Sequence, residues 1–159
     1  MTTLYVRDGS EFREAPATDI ITRAQALIAQ RYRTGSPALL DPTRPKDFLR
    51  LHLGAHDHEV FGLLHLDNRN RLIAAEDLFR GTIDGASVYP REVVHSVLQH
   101  GSAAVILYHN HPSGVSEPSQ ADHGITRRPR TALQLIDVRV LDHVIVADPV
   151  YSFQEAGLL

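Results

Sequence analysis

Glu59-Val-Phe-Gly-Leu-Leu-His-Leu-Asp67 is the stretch that most restricts the fold. Its apolar residues fall at odd and even positions alike. A strand built from it is apolar on both faces and belongs in the middle of a sheet that is covered on both sides. Asn68-Arg69-Asn70 reads as a turn, and Arg71-Leu-Ile-Ala-Ala75 returns as the next strand. Ala103-Ala-Val-Ile-Leu107 is a second buried strand and Val138 to Ala147 a third, with Val150 to Phe153 able to pair with it across Asp148-Pro149. Helices alternate with these strands. Pro90 at a first turn and Gly101 just past an end bracket a helix with Val93, Val94, Val97 and Leu98 on one face. Another opens at Ser119. A third carries Ile20, Ala24, Leu27 and Ile28 on one face, capped by Thr18 or Asp19, with Gly35 past its end. A fourth runs from Arg44 to Leu53 with Thr43 as its cap, after the Pro-rich connector SPALLDPTRP. The pattern predicts an α/β fold, a mixed β-sheet covered by helices. It divides into an N-terminal lead-in and helix over 1–43 and a main domain over 44–159. Residues 1–16 read as a loose lead-in with a short strand at Leu4-Tyr5-Val6.

A chain of 159 residues buries roughly 70% of its unfolded surface and needs no disulfide or structural metal to fold. It has no cysteine, which removes thiol catalysis and every Cys-ligated zinc site, cytidine-deaminase chemistry included. The formal net charge of −3 implies no whole-surface attraction to nucleic acid. No apolar run approaches the roughly 20 residues of a membrane span, and the first residues carry no signal pattern. The expectation is a cytoplasmic protein with no membrane partner. The anomaly is ten histidines.

His109-Asn-His111-Pro-Ser-Gly-Val-Ser-Glu-Pro-Ser119-Gln-Ala-Asp122 follows a buried strand, the place where α/β proteins carry sites. In extended chain, residues i and i+2 share a side, so His109 and His111 converge while Asn110 points away. Pro112 and Gly114 allow a sharp turn that brings the start of the next helix, and Asp122, back to the imidazoles. Two nitrogens and one oxygen on Zn²⁺ leave the fourth position open, as in catalytic sites. Ser119-x-x-Asp122 is equally a capping-box variant, and the two roles are compatible. The run H-N-H is not that of an HNH nuclease, whose residues are widely separated.

The ordered set H-x-H-P-S-G-x-x-x-P-S-x-x-D resembles the JAMM motif of the JAB/MPN metalloprotein superfamily, in the form seen in RadC-like proteins. Arg80-Gly-Thr82, Val88-Tyr-Pro-Arg-Glu92, Ala103 to Leu107, Leu141-Asp-His-Val-Ile-Val146 and the ending Tyr151 to Leu159 fit the same resemblance, which covers roughly Arg44 to Leu159. It implies a JAB/MPN domain with a three-layer, cytidine-deaminase-like arrangement, in a short form without the helix-hairpin-helix region of longer relatives. It implies a zinc site built by His109, His111 and Asp122, with Ser119 beside the metal-bound water and the oxyanion. It implies Glu59 as the upstream general base, and Asp142 and His143 as outer supports of the site.

The implied reaction is hydrolysis of an amide, peptide or isopeptide bond, with a peptide or protein as substrate. Zinc lowers the pKa of water from 15.7 to about 7, a carboxylate moves the proton, and a Ser hydroxyl on the oxyanion is worth about 3 kcal/mol in other enzymes. Two other readings stand beside it: a DNA-repair accessory or nuclease-like protein, and a metal-containing binding module without catalysis. Arg127, Arg128 and Arg130 are the residues on which DNA binding would centre, although a short basic cluster is usually a solvated face.

His56-Asp57-His58, with His52 upstream, is a second H-x-H pair, expected to be a polar connector. His123 is a rival to Asp122 as ligand, against the spacing. His65, His95 and His100 are expected to be ordinary histidines. Pro129 inside the helix opened at Ser119 deletes a backbone hydrogen bond and costs about 3 kcal/mol. A kink or break near Arg128, with a second helical stretch from about Arg130 to Leu135, is therefore expected.

Overall fold

A computed structural model of the chain describes residues 3–33, 43–54, 56–81 and 87–159. Two short strands, β1 (Tyr5–Asp8) and β2 (Glu11–Glu14), precede helix α1 (Ala17–Arg33). Then follow α2 (Thr43–Leu53), β3 (Val60–Leu66), β4 (Leu72–Arg80), α3 (Pro90–His100), β5 (Ala104–Asn110), α4 (Gln120–Gln134), β6 (Arg139–Val146) and β7 (Tyr151–Ser152). Strands β3 to β7 form a sheet in the order β4-β3-β5-β6-β7. Only β5 and β6 run parallel; the other neighbours are antiparallel. The sheet is mixed, and α4 is the crossover that parallel strands require.

The apolar strand read as central is central. All seven residues of β3 are buried, between β4 and β5. Its two faces feed two cores. Val60, Leu64 and Leu66 pack with Phe48, Leu49 and Leu53 of α2 and with Ile106 and Tyr108 of β5. Phe61 and Leu63 pack on the opposite side with Val93 and Val97 of α3 and Leu133 of α4. The result is three layers, with α2 on one face and α3 and α4 on the other. Gly62 is needed where Tyr108 crosses β3. A Cβ there would stand 2.4 Å from the Tyr108 ring and 2.4 Å from the Glu76 carbonyl oxygen, far inside van der Waals contact. The Tyr108 hydroxyl is thereby free to reach Asp77 at 2.6 Å.

The helix around Pro129 is a correction. α4 runs unbroken from Gln120 to Gln134 with Pro129 inside it, so of the kink or break expected near Arg128 the break, and with it a separate second helix, does not occur. Asp122, Thr126, Pro129 and Leu133 form its buried stripe. The proline ring is buried, and that burial offsets the single hydrogen bond it cannot donate to Ile125.

Other boundaries move as well. Residues 5–14 are a paired hairpin rather than a loose lead-in, turning at Gly9-Ser10 with Gly9 at φ 61°. α1 starts at Ala17, so Thr18 and Asp19 lie within its first turn rather than capping it. α2 likewise begins at Thr43. Gly35 falls outside the described residues. His109 and Asn110 belong to β5 rather than to the loop, because each pairs with β6.

Candidate metal centre

His109 ends up on the face of β5 that looks toward α3 and α4, and Asn110 on the other. The chain leaves β5 through His111, whose amide donates to the Val146 carbonyl at 3.0 Å. It then turns at Pro112 and Gly114, where Gly114 has φ 79° and donates to the His111 carbonyl at 2.9 Å. Ser119 caps α4. The Asp122 amide donates to Ser119 Oγ at 3.2 Å, while the Ser119 amide and hydroxyl both donate to Asp122 Oδ2, at 2.6 and 2.7 Å. This is a full capping box. Oδ2 is held from behind by the cap and lies on the His111 side, and Oδ1 faces His109.

The polar atoms then converge. His109 Nε2 lies 2.9 Å from His111 Nε2 and 3.1 Å from Asp122 Oδ1, and His111 Nε2 lies 3.5 Å from Asp122 Oδ2. Glu59 Oε1 lies 4.0 Å from His109 Nε2. Ligands at tetrahedral corners 2.0–2.1 Å from an ion stand about 3.3 Å apart, so the observed separations suit one. His111 Nδ1 donates to the Val115 carbonyl at 2.6 Å. Since a carbonyl only accepts, the Nε2 lone pair is the one left to face the cluster. Burial pushes the Asp122 carboxyl up, but the imidazoles of His109 and His111 beside it and the Ser119 hydroxyl outweigh burial and hold it well below the usual carboxylate range. The Asp122 carboxylate beside it raises His111, against burial.

Glu59 stands just before β3, and its backbone is pinned on both sides. Gly81 donates to its carbonyl at 2.7 Å. Asn110 Oδ1 accepts from the Val60 amide at 2.8 Å, while Asn110 Nδ2 donates to the His58 carbonyl at 3.0 Å. The residue between the two histidines thus fixes the start of the strand that carries Glu59. Sequence reasoning placed Asn110 away from the ion and gave it no role.

His143 is fully buried and contacts His109, Nε2 to Nδ1 at 2.8 Å. Its Nδ1 meets Thr126 Oγ1 at 2.5 Å. Thr126, one turn beyond Asp122, was missed although its i+4 spacing puts it on the same helix face. Asp142 stays clear of the cluster. It accepts from the amides of His143 and Gln154 and from Ser152 Oγ, holding the C-terminal turn. That turn seats Phe153, which stacks on His143 with ring centroids 5.0 Å apart. Burial raises the Asp142 carboxyl.

His123 packs its ring edge against Phe153 and takes no part in the cluster. His58 pairs with exposed Asp57 at 2.7 Å and His52 with Asp77 at 2.9 Å. Among the described residues, neither belongs to a group of three converging ligand atoms.

A second group does converge: His65, Glu76 and His100. Its geometry is poor for an ion, which must lie in the plane of each imidazole that binds it. The His65 and His100 rings are stacked, 4.0 Å apart and 17° from parallel, so their planes share no such point near both nitrogens. His100 Nδ1 also faces the Ser96 carbonyl at 3.0 Å, which demands a proton there.

His65 is instead a core histidine, held at Nδ1 by Ser102 Oγ at 2.8 Å and at Nε2 by Ser96 Oγ at 3.1 Å and Glu76 at 3.3 Å. Burial, joined by the nearby His100, lowers its pKa from 6.5 to about 4 despite Glu76. Unfolded, His65 takes up a proton near pH 6.5; folded, only near pH 4. Stability present above pH 6.5 is therefore lost as the pH falls toward 4, by about 3 kcal/mol. His65→Gln should flatten that part of the profile, as read by urea unfolding at pH 7 and pH 4.5. An unchanged slope would put the acid sensitivity elsewhere.

Residues 39–158 match the family described as RadC-like JAB domain. The chain is 53% identical over 141 residues to a UPF0758 protein of Vibrio cholerae, covering 89% of each chain. It is 61% identical over 122 residues to one of Thioalkalivibrio sulfidiphilus, covering 77% of this chain and 55% of that protein. A relative in Nitrosococcus oceani is 50% identical over 165 residues, covering 98% of this chain and 74% of its own length. Among the described residues no helix is long and apolar enough to cross a membrane. With a matched region that holds both histidines, Asp122 and Glu59, the chain belongs to the RadC-like JAB domain family.

Proposed function

We propose that the chain is a zinc-dependent hydrolase that cleaves an amide bond, of the peptide or isopeptide kind, in a peptide or protein substrate. One observation carries the reading: His109 Nε2, His111 Nε2 and the two oxygens of the Asp122 carboxylate converge at 2.9–3.5 Å, with the carboxylate of Glu59 alongside at 4.0 Å from His109 Nε2. A site that only held an ion would need the first three; the fourth group supports chemistry. The N,N,O donor set suits zinc.

His109, His111 and Asp122 would hold the ion, which when bound acidifies water and polarises a carbonyl. The residues of the chain supply the rest. Glu59 takes the proton from the attacking water and returns it to the leaving amine. Its reach is set by the Asn110 and Gly81 bonds to the backbone around it. Ser119 has two separable roles. Its lone pair accepts from the Asp122 amide and caps α4, while its hydroxyl proton, now on Asp122 Oδ2, turns to the substrate oxyanion as that charge develops. The cap survives the turn, because it uses the lone pair.

The test is a digest of a peptide library by the purified chain, loaded with one equivalent of zinc, stripped with chelator, and reloaded. Cleavage that disappears with the metal and returns with it supports the reading. Zinc binding without cleavage of any amide would leave the binding module, and cleavage indifferent to chelation would remove the metal from the mechanism.

A further inference from the structure

The metal centre is backed by a chain of hydrogen bonds whose direction is fixed at one end. Thr126 Oγ1 donates to the Asp122 backbone carbonyl at 2.6 Å. A hydroxyl has one proton, so with that proton on Asp122 O the same oxygen must accept from His143 Nδ1, 2.5 Å away. His143 is buried without any exposed surface, against the rings of Phe61 and Phe153. With its Nδ1 proton directed to Thr126, His143 turns the lone pair of Nε2 to His109 and accepts from His109 Nδ1 at 2.8 Å. His109 then carries its proton at Nδ1 and presents the Nε2 lone pair to the cluster. The reverse direction would put a proton on His109 Nε2, where an ion must bind.

We infer that Thr126 and His143 are positioning residues that lock the tautomer of His109, so that the nitrogen facing Asp122, His111 and Glu59 is ready to receive a metal ion. The lock starts at the main chain of Asp122 and ends on His109, so one helix turn orients two ligands from two elements. This deepens the hydrolase reading and rests on the metal centre within it, not on the reaction.

Thr126 gives a clean test, since Val matches its shape without the hydroxyl and Ser keeps the hydroxyl without the methyl. Zinc affinity is measured by competition with a chromophoric chelator, with zinc alone as the probe. Thr126→Val should bind roughly 10–100-fold more weakly, the range for loss of an outer partner of a ligating histidine, and Thr126→Ser should stay near wild type. A packing role predicts the opposite order, with Ser the weaker and Val unchanged, and that order would overturn the proposal.

A second measurement does not depend on the variants folding. Long-range nitrogen–proton NMR of the zinc-loaded wild type should show His143 neutral with its proton on Nδ1. A proton on Nε2, or on both nitrogens, overturns the lock. Failure of wild type to bind zinc removes the metal centre and the lock together, whereas tight binding by wild type and Thr126→Val alike removes only the lock.

Discussion

Glu59→Gln is expected to yield a folded, zinc-loaded protein whose hydrolysis falls by roughly 10²–10⁴-fold, the range of a positioned acid–base group. Glutamine keeps the length and the shape of the side chain and removes the ionisable oxygen. What holds this residue in place is its backbone, through Gly81 and through Asn110 acting on its neighbours His58 and Val60; none of these bonds involves the carboxylate. The fold should not register the change. Zinc content should not either, because the ligand set closes without Glu59: its nearest approach to His109 Nε2 is 4.0 Å, against 3.1 Å for Asp122. Metal content, melting temperature and turnover on the same preparations decide it. Full turnover in Glu59→Gln would take the residue out of the mechanism, and loss of zinc would make it a fourth ligand.

The legible part of this protein was the part in which one pattern carries one meaning. The apolar runs of β3 and of Ala104 to Leu107 in β5 read as interior strands, and every residue of both is buried, while Pro90 and Gly101 bracket α3 at the places where each is favoured. The ordered spacing from His109 to Asp122 pointed to a convergence that β5, a Pro-Gly turn and a capped helix produce.

Where two effects compete, local reading failed. Pro129 is a helix breaker by intrinsic preference, yet it sits on the buried stripe of α4, where tertiary packing outweighs one missing hydrogen bond. The hairpin at Gly9-Ser10 has a recognised turn dipeptide, but all of β2 is exposed, so the apolar alternation that identifies a half-buried strand is missing. His109 and Asn110 read as loop because polar residues seldom end a central strand; here both side chains are satisfied, one by the cluster and His143, the other by the backbone of the neighbouring strand. Thr126 and Asn110 were passed over because their partners, His143 and His58, are distant in sequence and close only through the sheet register.

His111→Ala should lose zinc. It takes away one of three ligands, and the loss of affinity should exceed the roughly 100-fold upper range for outer partners of a ligand. The fold, by contrast, should change little. Among the hydrogen bonds of this side chain, the one that holds the loop is Nδ1 to the Val115 carbonyl, a contact near the surface worth about 1 kcal/mol. The loop keeps its other ties, from the His111 amide to Val146 and from Gly114 to His111, and both are main-chain bonds that alanine retains. His123→Ala is the matched control: the next residue after Asp122, also a histidine, but turned onto Phe153 and outside the cluster. It should hold zinc as wild type does. The pair separates the geometry from mere histidine content, which ten histidines in 159 residues would otherwise confound. Equal zinc affinity in His111→Ala and His123→Ala would mean that the ion sits elsewhere. Loss in the first alone ties it to the end of β5, where removing the ion should abolish hydrolysis without unfolding the protein, because both cores lie on the sheet faces and neither includes His111.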